Sequence, residues 1–182
     1  LNNIQIRKVN GRLTDYYDHK NGVIGLSQGV FESSSVAALG IAAHEVGHAL
    51  QYADNYAPIK ARNFLVPVVN FASRLMWPLV IIGIIFGLAV PGNIVGDVII
   101  YAGLIFYGSS IVISLVTLPT EFNASNRAAA LLTESGILTV EETNGAKKVL
   151  NAAAWTYIAA LVMALLSMLR FLAIIFMSRR RR

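Results

Sequence analysis

The sequence predicts a mainly α-helical, multi-pass membrane protein with a small β-hairpin element near its N-terminus. Composition is the first observation: 55% of the 182 residues are hydrophobic, 14% are charged, and the mean hydropathy is +0.59. Soluble domains average roughly 45–50% apolar and about 25% charged residues. The second observation is a set of three uncharged segments, each reaching the ~20 residues that cross a bilayer as a helix; these are 75–96, 98–120 and 149–169.

Residues 1–74 are more polar and are predicted to lie outside the membrane. Alternating residues in "IQIRKV" and "GVIGLS" indicate two antiparallel strands with a long connection. Three serines before Val36 offer N-caps to a helix that runs to about Ala53 and is too polar to span a bilayer. Because Leu1 starts within the first strand, we expect a shortened N-terminus.

The rest of the chain alternates between apolar and polar segments. Residues 75–118 predict a transmembrane hairpin that turns at Pro91 and Gly92. Residues 119–148 predict an extramembrane segment with a helix over 120–135, closed by Gly136, and a short piece capped by Thr139 or Thr143. Residues 149–178 predict the third crossing. We expect 1–182 to form one membrane-embedded domain.

Charge and cysteine content exclude several classes of function. Most of the net charge of +5 comes from Arg179–Arg182, a tail beside an apolar segment, so nucleic-acid binding is not supported. The chain has no cysteine, which excludes disulfides, iron–sulfur clusters, thiolate catalysis and zinc held by cysteine.

An HEVGH motif lies inside the helix predicted to end near Ala53. Residues four apart share a helix face, so His44 and His48 can direct ring nitrogens at one metal ion, and Gly47 leaves space beside it. H-E-x-x-H on a helix is the pattern of zinc proteases, in which the glutamate, here Glu45, takes a proton from water whose pKa the zinc lowers toward ~7. The alternative to a zinc site is that His44 and His48 are core or surface residues that bind no metal and whose hydrogen bonds are satisfied within the protein.

Catalytic zinc takes three protein ligands, so the motif lacks one. His19, in a turn-like segment, and Asp54, six residues after His48, are alternatives. Glu121 is the favoured third ligand, because two crossings return the chain to the face that carries the motif. Its other possible role is an acidic residue in the first turn of a helix. The prediction is one Zn²⁺ per chain, bound by His44, His48 and Glu121.

Three polar residues near Glu121 are candidates to assist this site. Ser125, one helical turn later, and Asn123 could orient a zinc-bound imidazole. Arg127 could stabilise the oxyanion of a tetrahedral intermediate, or could be a solvated helix residue. No organic cofactor is predicted.

The predicted fold class is a mainly α, multi-pass membrane protein with zincin-like catalytic helices and a small β-hairpin element.

The predicted function is a membrane-bound zinc-dependent endopeptidase that hydrolyses peptide bonds of protein substrates by zinc-activated water, with membrane protein quality control as the expected setting. "GVIGLS" would be an edge strand that pairs with an extended substrate. The alternative is a non-enzymatic membrane scaffold or transport subunit with a vestigial metal site.

The stretch "GVIGLSQGVFESSSVAALGIAAHEVGHALQYA", the apolar hairpin after it and "PTEFNASNRA" resemble the YugP-type membrane zinc metallopeptidases, which are similar in plan to HtpX-like proteases. The resemblance covers nearly the whole chain. It implies His44 and His48 as zinc ligands, Glu45 as catalytic base and Glu121 as third ligand. Family members tend to carry Asp where this chain has Asn123, and usually begin with another transmembrane helix.

The expected location is the cell membrane, with protein or peptide substrates and the lipid bilayer as partners. Positive charge near membrane ends favours the cytoplasm, and it is more abundant on the side of the motif than on the side of the arginine tail. We therefore expect a cytoplasmic catalytic face. The basic residues counted on that face are Lys60, Arg62, Arg74, Arg127, Lys147 and Lys148.

Overall fold

The computed structural model describes residues 4–89 and 94–180. The predicted break at Pro91 and Gly92 lies outside these described residues, as do the last two arginines of the tail. The chain divides into a first unit, Leu1–Lys60 with Leu118–Thr156, and a second unit, Ala61–Thr117 with Tyr157–Arg182. The elements in chain order are β1 Gln5–Val9, β2 Tyr16–Asp18, β3 Val23–Ser27, α1 Gln28–Phe31, α2 Val36–Ala53, α3 Ala57–Ala89, α4 Ile94–Glu134 and α5 Val140–Arg180.

The sheet has the strand order β1-β3-β2 and differs from the predicted pairing. The predicted hairpin exists, but β2 and β3 form it as an antiparallel pair. The prediction that the first strand pairs antiparallel with "GVIGLS" is wrong, because β1 runs parallel to β3. The connection between them contains β2, which turns back through Gly22 at φ +62°. Strand β3 is therefore central and buried along its length, and the prediction that it is an edge strand is also wrong.

Helix α2 begins and ends where the sequence predicts. The hydroxyl of Ser35 accepts a hydrogen bond from the backbone N–H of Ala38 at 3.2 Å, which is the expected N-cap geometry. The helix ends at Ala53, and Asn55 follows with a left-handed φ of 55°. This helix carries the HEVGH motif.

Helices α4 and α5 are longer than predicted. The segment over 120–135 is not a separate helix, because α4 runs through Pro119 without a break before ending at Glu134. Proline is tolerated inside helices of this apolar kind, where local adjustments satisfy the freed carbonyl. Gly136, at φ +63°, follows the helix end as predicted.

The start of α5 is fixed by a capping box. The hydroxyl of Thr139 accepts from the N–H of Glu142 at 3.2 Å, and the Glu142 carboxylate accepts from the N–H of Thr139 at 2.9 Å. Of the two predicted caps, Thr139 is thus the one used. The helix continues to Arg180, so the predicted short piece and the third apolar run are one helix.

The core of the first unit is built from small side chains of α2, α4 and α5. Alanines allow the helix backbones to approach closely, and two leucines fill the remaining space. This close packing fixes the position of α4 relative to α2. The buried core residues are Ala43, Ala128, Leu132, Ala146 and Leu150.

The second unit consists of apolar helix segments. The described residues contain three helices long and apolar enough to cross a membrane, with candidate spans Ala57–Gly83, Ile94–Glu134 and Val140–Met177. Their outward-facing side chains are mostly large and hydrophobic, as lipid contact requires. The predicted class, a mainly α multi-pass membrane protein, is confirmed.

Candidate metal centre

Three potential metal ligands converge in the first unit. Helix α2 places His44 and His48 one turn apart, and α4 brings Glu121 against both rings. Glu121 Oε2 lies 3.2 Å from His44 Nε2 and 3.6 Å from His48 Nε2. One ligand atom from each of the three residues falls within 4.8 Å of the others. Among the described residues, these three are the His, Cys, Asp or Glu side chains whose ligand atoms lie close enough together to hold one metal ion.

The donor set and its spacing fit zinc. Two imidazole nitrogens and one carboxylate oxygen are a common ligand set for catalytic zinc, with bonds of about 2.0–2.2 Å. Tetrahedral ligands at those bond lengths stand about 3.4 Å apart. The two separations from the Glu121 oxygen, 3.2 and 3.6 Å, bracket that value. The cluster could therefore hold zinc without large movement of the helices.

The burial of Glu121 argues against a role as an ordinary helix-start residue. Its side chain is buried, with 1% of the residue exposed. It also lies deep inside α4, far from the first turn at Ile94, so the helix macrodipole does not explain an acidic residue here. A buried carboxylate needs a partner of positive charge or a metal, and both histidines face it.

The ring nitrogens that face away from the cluster are also hydrogen-bonded. His44 Nδ1 lies 3.2 Å from the hydroxyl of Ser125, and His48 Nδ1 lies 3.0 Å from Gln51 Oε1. Such outer contacts hold a ligating imidazole in one orientation. Ser125 is among the residues that the sequence predicts for this role, and Gln51 is not. Its position three residues after His48, on the same helix face, was the available signal.

Glu45 lies next to the cluster and is almost fully buried, with 7% of the residue exposed. Burial raises the pKa of this carboxyl above its usual range. The nearby His48 and His44 oppose the increase, and the charges of Glu121 and Asp15 add to it. A glutamate with a raised pKa both accepts and returns a proton near neutral pH more readily than a solvated one.

Burial and the neighbouring carboxylates act in opposite directions on the pKa of His48. Burial on its own lowers the pKa of the imidazole, because the charged ring loses its hydration. The hydrogen bond to Glu121 and the charge of that carboxylate outweigh burial, so the pKa of His48 is raised. The carboxylate of Glu121 thus favours positive charge on the His48 ring.

The other candidates from the sequence lie outside the cluster of three ligands. Asn123 Oδ1 accepts from Arg127 Nε at 2.8 Å, and the Arg127 guanidinium also pairs with the Asp54 carboxylate. Asp54 is therefore occupied by an ion pair at the end of α2 and does not join the cluster. The exposed His19 ring stacks on Tyr52, with centroids 4.3 Å apart, and does not join it either.

Gly47 has a different role from the one predicted. The space beside it is occupied by the backbone of α4 at Ala124, one turn from Glu121. A Cβ atom at Gly47 would lie inside contact distance of the Ala124 carbonyl oxygen. The glycine therefore permits the close helix approach that brings Glu121 to the two histidines.

We expect Gly47→Ala to destabilise the protein by about 1–3 kcal/mol, the usual cost of overpacking a tight contact. Alanine normally stabilises a helix relative to glycine by up to about 1 kcal/mol, so a net loss identifies the clash with Ala124. Gly29→Ala is the matched control, because a Cβ there meets open space. The thermal midpoint in detergent should fall for Gly47→Ala alone; an equal or higher midpoint would mean that α2 and α4 do not meet this closely.

Comparison with known proteins defines the class of this molecule. The chain belongs to a zinc metallopeptidase family, since the family model described as "Putative neutral zinc metallopeptidase" matches residues 1–176. A relative from Bacillus subtilis (strain 168), described as "Putative membrane protease YugP", is 40% identical over 175 residues, covering 96% of this chain and 74% of the relative. No solved structure matches the chain. The family resemblance inferred from the sequence is confirmed.

Proposed function

We propose that this protein is a membrane-bound, zinc-dependent endopeptidase that hydrolyses peptide bonds of protein substrates. The observation that carries the proposal is the convergence of His44, His48 and Glu121 beside the buried Glu45. Membership in a zinc metallopeptidase family supports the same reaction class. The wider setting that we propose is quality control of membrane proteins.

In this proposal, His44, His48 and Glu121 would bind one zinc ion per chain, which gives the three protein ligands that catalytic zinc normally takes. Bound zinc would polarise the scissile carbonyl and lower the pKa of a water molecule toward ~7. The outer contacts from Ser125 and Gln51 hold the two imidazoles in place. His48 and Glu121 are buried, and low exposure to solvent strengthens electrostatic interactions within the site.

Glu45 is the proposed general base and acid. Its carboxylate accepts the proton of the attacking water as the water oxygen adds to the carbonyl carbon, and then donates it to the departing nitrogen as the C–N bond breaks. The raised pKa of Glu45 suits both halves of this transfer. Arg127 does not serve as oxyanion stabiliser in this proposal, because its guanidinium is engaged by Asp54 and Asn123.

The test is cleavage of an unfolded fluorescent reporter by the full chain purified in detergent. Activity should disappear with a zinc chelator and return when zinc is restored. The alternative, a membrane scaffold or transport subunit with a vestigial metal site, is favoured if the protein binds zinc but cleaves none of a broad set of unfolded and membrane-derived substrates.

We also propose that the protein lies in the cell membrane with three crossings and a cytoplasmic catalytic face. The basic residues near the membrane ends on the side of the motif support this orientation. Because the chain has no cysteine, single cysteines can report the side on which a residue lies. We expect Asn93→Cys to react with an impermeant thiol reagent added to intact cells and Asn144→Cys to stay protected.

Lysed cells are the control for this experiment, since both cysteines should react once the membrane is broken. Labelling of Asn144→Cys but not Asn93→Cys in intact cells would place the active site outside. Labelling of both would contradict the three-crossing arrangement.

A further inference from the structure

We propose that Gln51 is a positioning residue that sets the tautomer and ring orientation of His48. The inference rests on the proposed function, in which His48 binds zinc through Nε2. Gln51 is fully buried, with 0% of the residue exposed, and lies three residues after His48 on α2. Its amide contacts groups from two helices, α2 and α4.

The orientation of the Gln51 amide is fixed by its neighbours. One end lies 2.7 Å from the backbone carbonyl oxygen of Thr120, which can only accept a hydrogen bond. The same end lies 3.0 Å from Asn123 Oδ1. That Asn123 atom must be the amide oxygen, because it also faces Arg127 Nε, which can only donate. The end of Gln51 that faces two acceptors is therefore its NH₂ group.

The tautomer of His48 follows from this assignment. With the NH₂ group of Gln51 directed at Thr120 and Asn123, its Oε1 is the atom that faces His48 Nδ1 at 3.0 Å. An amide oxygen only accepts, so Nδ1 carries the hydrogen. The neutral ring then has its lone pair on Nε2, the nitrogen that faces Glu121. This is the tautomer that a metal ligand requires.

His44 is held by a less selective partner. Its Nδ1 contacts the hydroxyl of Ser125 at 3.2 Å, and a hydroxyl can donate or accept. Ser125 therefore holds the His44 ring without defining its tautomer. The contacts of Thr120 and Asn123 fix the orientation of the Gln51 amide, and the Gln51 oxygen in turn fixes the tautomer of His48. Arg127 contributes by fixing the orientation of the Asn123 amide.

The network also explains why glutamine fits where glutamate would not. A carboxylate is the stronger acceptor for an imidazole N–H, so acceptor strength alone would favour glutamate at position 51. Its second oxygen, however, would face the Thr120 carbonyl and Asn123 Oδ1, two acceptors with no proton between them. The amide satisfies all three contacts at once.

The experiment measures the zinc dissociation constant of the full chain in detergent, by competition with a chromophoric chelator. Gln51→Met keeps the volume but removes the acceptor, and we expect binding about 10- to 100-fold weaker. Gln51→Glu should also bind more weakly than the wild type. Asn123→Asp keeps the acceptor that orients Gln51, so it should retain more affinity than Asn123→Leu.

Two further measurements separate positioning from a general loss of stability. Ser27→Ala removes a buried hydroxyl that donates to Asp15 in the same unit, and should lower the thermal midpoint without changing zinc affinity. The visible absorption spectrum of the cobalt-substituted protein should change in Gln51→Met and stay unchanged in Ser27→Ala.

The outcomes distinguish this inference from the proposed function. If His48→Ala loses zinc but Gln51→Met binds it as tightly as the wild type, Gln51 does not position the ligand. If Gln51→Glu binds zinc more tightly than the wild type, acceptor strength matters and the orientation argument is wrong. If His48→Ala keeps its zinc, the proposed metal site itself is overturned.

Discussion

We expect Glu45→Gln protein to bind zinc as the wild type does and to lose cleavage of an unfolded reporter by about 10²- to 10⁴-fold, the usual contribution of a general base. The amide has nearly the same volume as the carboxylate, so the packing around this buried residue persists. Its oxygen cannot take a proton from water at neutral pH. The three proposed zinc ligands are unchanged, so metal binding should be unaffected.

Glu134→Gln is the matched control, because it makes the same chemical change at an exposed glutamate at the end of α4. Zinc content, helical circular dichroism and initial cleavage rates should be measured on both variants in parallel. Wild-type rates in a folded Glu45→Gln protein would remove this residue from the mechanism. Loss of zinc from Glu45→Gln would show that Glu45 acts on metal binding instead.

The parts of the site that could be predicted are those that follow from local geometry and topology. The i, i+4 spacing of His44 and His48 fixes their common face on any helix. Glu121 could be predicted because an even number of crossings returns the chain to its starting side. The structure brings these three residues together as that reasoning requires.

The contribution of Gln51 depends on contacts that the sequence does not display. Its amide is oriented by Thr120 and Asn123, about 70 residues away along the chain. Gly47 is similar: a glycine inside a helix indicates a close approach, but only the position of α4 identifies Ala124 as the backbone that it accommodates. Non-local packing of this kind cannot be predicted from periodicity.

The predicted strand order is wrong for a physical reason. Parallel and antiparallel neighbours show the same alternation of residues, so the pattern in β1 and β3 does not distinguish the two pairings. The short strand β2 lies in a segment rich in polar residues, whose composition is typical of a connection between strands. Because β2 pairs with β3, an extended substrate has no free edge along Val23–Gly25 of that strand.

Glu121→Ala should lose zinc at concentrations that keep the wild type loaded, while Asp54→Ala keeps it. Removing one of three ligands should weaken binding by more than the about 10- to 100-fold loss typical of an outer contact. Asp54 is a fair comparison, since it is also a carboxylate near the motif, but its partner is Arg127 and its side chain is largely exposed. Exposed ion pairs contribute at most about 1 kcal/mol, so Asp54→Ala should stay folded.

Metal analysis of the purified variants, after dialysis against a weak chelator, decides between the two carboxylates. Helical circular dichroism should show that Glu121→Ala remains folded, because alanine fits the close contact of α2 and α4 without a buried charge. Zinc retained by Glu121→Ala and lost from Asp54→Ala would reverse the assignment of the third ligand. Zinc retained by both would mean that the two histidines find their third partner elsewhere, because catalytic zinc normally takes three protein ligands.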